Sequence, residues 1–75
     1  MSINQNNHGS YAKTGDFVEA INPMGEPTGL HGVVVGEFIQ PGLISKRILK
    51  VLVTWSTGAE VEHMKDSFVR IVSRA

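Results

Sequence analysis

The sequence predicts an all-β fold, a small barrel of five short strands, on three observations. Apolar residues alternate through Arg47–Trp55 and again through Ala59–His63, with Ser56-Thr57-Gly58 between them, the pattern of a β-hairpin. The β-branched run Val33-Val34-Val35 stands between Gly32 and Gly36, and β-branched side chains favour strands. No segment sustains the apolar period of an amphipathic helix.

Residues 1–13 are rich in Ser, Asn, Gln and Gly, with Ile3 and Tyr11 the sizeable apolar groups besides Met1. They read as a flexible polar tail from which Tyr11 packs back onto the barrel. The barrel domain spans 14–75. It opens with a turn at Thr14-Gly15-Asp16 and a first strand over Asp16–Ile21. Asn22–Gly29 holds two prolines and two glycines, which exclude a helix and predict a long loop. The second strand covers His31–Phe38, its glycines marking a bend or a close approach of neighbouring backbone. Ile39–Ser45 is a further loop, with Pro41-Gly42 suited to the centre of a type II turn.

Strands three and four are the hairpin, and its side chains discriminate between registers. A two-residue turn at Thr57-Gly58 would set Trp55 against Glu60 and Val53 against Glu62, placing carboxylates on the apolar side. A three-residue connection Ser56-Thr57-Gly58, with Gly58 at positive φ as a bulge, instead pairs Trp55 with Ala59, Val53 with Val61 and Val51 with His63. Its other face pairs Thr54 with Glu60, Leu52 with Glu62 and Lys50 with Met64. This register gives one apolar and one mixed face and is the expectation. It places Trp55 in the core and turns Glu60 and Glu62 outward, with Glu62 diagonal to Lys50. Met64–Phe68 then makes a single 3₁₀ turn and Val69–Val72 a short closing strand. Such connectivity is that of an SH3-like barrel; a five-stranded OB-fold is the alternative, though it ordinarily carries a longer helix.

Composition limits function. Seventy-five residues form one domain of modest burial, too small for a large catalytic cleft. Without cysteine, neither disulfides nor thiolate zinc sites can brace it. Seven basic and seven acidic residues cancel, which removes the broad positive field that favours nucleic acid. No apolar run approaches the roughly 18 residues of a membrane span, and the start lacks the basic and apolar regions of a signal peptide. A soluble, unexported product without membrane association is expected.

Four segments carry a resemblance: Gly15-Asp16-Phe17-Val18, Gly32-Val33-Val34-Val35, Val51-Leu52-Val53-Thr54-Trp55 with Gly58, and Val69-Arg70-Ile71-Val72. Together they resemble the small SH3-like barrel proteins of tailed bacteriophages, whose pattern runs G-D-x-V, G-x-V, V-x-W-x-x-G and a terminal hydrophobic strand. The likeness covers residues 15–72, and related patterns occur in KOW and Tudor-like modules. It implies a phage-encoded accessory or virion-associated protein, in the host cytoplasm or the virion, that has no enzymatic activity and docks on a viral or host protein. The acidic and aromatic constellation with which SH3 domains take polyproline is missing from the sequence.

Candidate partner-binding residues lie in the loops. Met24, Pro27 and Leu30 in the first and Ile39, Leu43 and Ile44 in the second set apolar groups where a solitary barrel would carry polar ones. In an SH3-like barrel these loops flank one groove, so they form the expected protein-binding surface, a homo-oligomer contact included. The plainer reading is that they plug the barrel ends. Lys46, Arg47 and Lys50 form a cationic cluster. Phosphate contacts in a KOW- or Tudor-like nucleic-acid-binding module are its functional reading, and a solvated edge that discourages strand addition is its structural one. His31 and His63 with Glu60 or Glu62 lack metal-ligand spacing, and no nucleophile, base and acid arrangement or phosphate-cradling loop is recognisable. Neither metal, cofactor nor catalytic residue is expected.

Overall fold

The computed structural model describes residues 11–75, and the expectation for residues 1–10 lies outside them. Five strands follow one another: β1 Phe17–Ile21, β2 Pro27–Gln40, β3 Lys46–Trp55, β4 Gly58–Lys65 and β5 Val69–Ser73. A 3₁₀ turn at Asp66–Phe68 precedes the last. All neighbours are antiparallel in one sheet of order β4-β3-β2-β1-β5, whose two edges are β4 and β5.

The largest departure from the expected bounds is β2, which begins at Pro27 and takes in residues assigned above to the first loop. Proline is tolerated there because the first residue of a strand need not donate to the ladder. What remains of the loop is tied together by Asn22, whose Oδ1 accepts the backbone N–H groups of Met24 and Glu26, each at 2.9 Å. This is the Asx geometry in which a short side chain mimics a turn. The second loop is looser, and the type II turn at Pro41-Gly42 is not formed, since Gly42 is not among the glycines at positive φ.

One half of β2 pairs with β1, through Phe17 against Val33, and the other half with β3, from Val33 against Leu52 onward. Gly32 sits at this change of partner. A β-carbon on it would lie 2.4 Å from the Leu52 carbonyl oxygen and 2.6 Å from Val51 Cγ1, so only glycine allows the backbones so close. The bend expected around these glycines is completed next to Gly36: the register with β3 shifts between Val34 and Gly36, leaving Val35 as an extra residue.

Val18, Val34, Leu49, Val51, Val53 and Ala12 form the buried cluster, with Leu30, Met64, Val69 and Ile71 packed against it. Two carboxylates are buried at its margin. Asp16 accepts the Lys13 and Ala75 backbone N–H groups at 2.9 and 3.0 Å, which, with Arg74 nearby, hold its pKa below the usual carboxylate range. Burial alone would raise Glu19, but the Gly29 N–H and the Arg70 guanidinium, the latter at 2.8 Å, more than offset it and the pKa is lowered.

The hairpin adopts neither register weighed above. Trp55 faces Gly58, and the ladder continues as Thr54–Ala59, Val53–Glu60, Leu52–Val61, Val51–Glu62, Lys50–His63, Leu49–Met64 and Ile48–Lys65. Gly58 does have positive φ, at +129°. The turn is therefore Ser56-Thr57, and Glu60 and Glu62 share the side of Val53 and Val51 instead of turning to the opposite face. Because β4 is an edge, these carboxylates still reach water, Glu60 being exposed and Glu62 half-buried. In exchange Met64 packs on the fully buried Leu49 and Leu52 meets Val61, contacts the expected register would have replaced with Lys50–Met64 and Leu52–Glu62.

Trp55 is correspondingly not a core residue. It is 40% exposed, because β2 has ceased to pair with β3 at Leu52 and no strand among the described residues pairs with the last residues of β3 on that side.

Candidate functional site

The outer face of the sheet is set by the extra residue at Val35. Without it Phe38 would share the side of the buried Val34; with it Phe38 falls beside Ile48 on the outer face and Glu37 faces Leu49. Two bands follow on this face.

The first is apolar. Phe17 pairs with Val33, Val33 with Leu52 and Leu52 with Val61, a row of direct cross-strand neighbours from β1 to β4. All four are between about a third and a half exposed. His31 extends the band by stacking on Phe17, with centroids 5.5 Å apart, and its Nδ1 donates to the Gly29 carbonyl at 2.9 Å. Where β2 leaves β3, Leu30, His31, Val33, Leu52 and Trp55 line an open cleft of about 470 Å³.

The second band is basic and aromatic. Lys46, Lys50, His63 and Lys65 are exposed and lie on the face of Phe38 and Ile48, by the pairs Gln40–Lys46, Gly36–Lys50, Lys50–His63 and Ile48–Lys65. Lys50 Nζ stands 5.7 Å from the Phe38 ring centroid, and His63 meets the same ring edge-on at 5.4 Å. Lys65 Nζ stands 5.6 Å from the Phe68 ring. At these separations ammonium and ring attract through the ring quadrupole.

Arg47, grouped with Lys46 and Lys50 in the sequence, belongs elsewhere. Its Nη2 donates to the Ala12 carbonyl at 2.6 Å and to Glu37 Oε1 at 2.7 Å, and its guanidinium lies 5.3 Å from the Tyr11 ring. Nη1 is buried without a hydrogen bond among the described residues, 3.7 Å from Asp66 Oδ2. Arg47 thus clamps the chain before β1 to β3 and is not available to a phosphate as the cluster reading required.

The expected loop surface divides. Met24, Pro27 and Leu30 lie at the start of the fourteen-residue β2 or in the loop before it, and Ile39, Leu43 and Ile44 at its end or in the loop after it. Leu43 and Ile44 line a cavity with residues 40–42 and Lys46, whereas Leu30 lines a different one with Pro23, Met64 and Phe68. Met24, Leu43 and Ile44 are strongly exposed. His31 and His63 contact different phenylalanines, and among the described residues no group of three or more histidine or acidic side chains is placed to hold a metal.

Sequence reasoning missed Phe38, His63 and Lys65 as neighbours of Lys50, and the row through Leu52. The alternation Ala59, Val61, His63, Lys65 is a visible signal for both, once the turn is set at Ser56-Thr57. Comparison with protein-family models, with curated proteins and with solved structures returned no match.

Proposed function

We propose that this chain is a non-enzymatic protein-interaction module, a phage-type SH3-like barrel that docks on a viral or host protein in the host cytoplasm or the virion. The barrel reading is supported by the strand order, by the long bent β2 shared between two neighbours, and by the 3₁₀ turn before the last strand. The observation that carries the docking reading is the row Phe17–Val33–Leu52–Val61. Single exposed apolar side chains are ordinary, but a contiguous row across four strands, continued by His31 stacked on Phe17, is the surface that a partner covers. The loop groups around Met24 and Leu43 are peripheral to it.

The test compares two surface variants with the wild type in affinity capture from infected cells. Leu52→Ser with Val61→Ser should abolish capture of the wild-type partner while leaving the far-UV circular dichroism unchanged. Leu43→Ser with Ile44→Ser should retain it. Equal capture by both variants, or no specific capture by the wild type, defeats the proposal. Light scattering across a concentration range decides whether a second copy is the partner.

A further inference from the structure

We infer that the basic band on β3 and β4 binds single-stranded nucleic acid, with Lys46, Lys50 and Lys65 on phosphates and the Phe38 ring stacking on a base. This goes beyond the docking reading and uses different residues of the same face.

A chain of zero net charge distributes its charges unevenly. All three arginines are paired: Arg47 with Glu37 and Asp66, Arg70 with Glu19, Arg74 with Asp16. No lysine has an ion pair among the described residues, and three of the four lysines stand on the outer face of β3–β4. Of the remaining acids, Glu26 is in the β1–β2 loop, and Glu60 and Glu62 stand on the other side of β4, where Glu62 lines a cavity that Lys65 and Phe68 reach from the edge. The charges cancel in the sum, but the arginines take the paired acids and the lysines of this face are left without one among the described residues. In the register expected from sequence Glu62 would have stood diagonal to Lys50; in the fold His63 stands opposite it.

Aromatic groups decide the class of polyanion. A patch that only attracted acidic protein would need charge and nothing more. Here Phe38 and Phe68 are each more than a third exposed, and each has a lysine ammonium within 6 Å of its ring. An exposed ring beside a cation is the arrangement by which proteins hold single strands, the ring stacking a base and the cation meeting its phosphate. Paired bases offer no free face to such a ring. Lys46 and Lys50 are about 13 Å apart along β3 at the usual rise, with Lys65 beside the intervening Ile48, so the strand would run along the hairpin. Behind Lys46 and Lys65, Ser45, Ser67 and Phe68 line a cleft of about 550 Å³ together with Asp66, whose carboxylate is 3.7 Å from Arg47 Nη1.

The probe is a fluorescein-labelled oligothymidylate of about 16 nucleotides, read by anisotropy on the full chain between about 50 and 200 mM salt. Three lysine contacts should give a log–log salt slope of about −2, and Lys50→Gln or Lys65→Gln should each reduce it by about 0.7. Phe38→Ala should weaken binding about tenfold with the slope unchanged. Phe38→Leu, which keeps the packing on Ile48, should be weakened similarly. Absence of binding at the lowest salt overturns the inference, as does a slope indifferent to both lysine variants. Equal competition by polyglutamate together with full binding by both Phe38 variants also overturns it, reducing the band to a general anion surface.

Discussion

Gly32 lies so close to Leu52 that no β-carbon fits between them: one placed on Gly32 would stand 2.4 Å from the Leu52 carbonyl oxygen. The obstacle is backbone on the far side and cannot swing away. Gly32→Ala should therefore cost about 1–3 kcal/mol, outweighing the stabilisation of several tenths that stiffening the unfolded chain would bring. Gly36→Ala is the contrasting case. Its nearest neighbour is the flexible Lys50 side chain at 3.4 Å, so the change should be close to neutral. Urea midpoints of the two variants test this, and a Gly32→Ala midpoint at or above that of the wild type would refute it.

The same contact explains how far the fold is legible in the residues alone. Gly32 and Gly36 within a β-branched run announce a bend, and five strands with one 3₁₀ turn follow from alternation and turn residues. Other features depend on contacts that sequence spacing does not carry. The extra residue at Val35 puts Phe38 outside; Gly36 beside it signals a bend but not the one-residue shift that decides the face of Phe38. The expected hairpin register requires both carboxylates of β4 to avoid the side of Val51 and Val53, a requirement that holds for a covered strand and fails for an edge. Trp55 shares the alternation of Val51 and Val53, but its burial would also require β2 to remain alongside β3 to the end. Of the candidate sites, the positions of Lys46 and Lys50 are legible, whereas their partner Lys65, on the next strand, depends on the register.

Arg47 joins three parts of the chain that are distant in sequence, through the Ala12 carbonyl, Glu37 and Asp66. Its loss would leave the Ala12 carbonyl without this donor and release the chain before β1 from β3. Arg47→Ala should destabilise by about 1.5–3 kcal/mol, the range for hydrogen bonds to a charged group. Arg47→Lys should recover little of this, because one ammonium cannot reproduce a planar fork that serves several acceptors. Thermal melts of both variants, with proteolysis near Tyr11 as a local readout, provide the check. A fully restored melting temperature in Arg47→Lys would show that only the charge matters.

Asp16 and Glu19 make stability depend on acid. Both carboxyls have a lower pKa in the folded chain than the ordinary value, Asp16 through the Ala75 and Lys13 N–H groups and Glu19 through the Gly29 N–H and Arg70, which overcome its burial. A depressed folded pKa means that the folded chain releases the proton more readily than the unfolded one. The resulting stabilisation is fully present above the unfolded pKa of roughly 4, and it is lost as pH falls through the lower folded values. The melting temperature should accordingly hold nearly level from about pH 7 to pH 5 as far as these groups decide it, and fall as pH drops below about 4. Asp16→Asn with Glu19→Gln should melt lower at neutral pH and lose stability less steeply on acidification. An acid limb as steep in the double variant as in the wild type would place the acid sensitivity on other carboxylates.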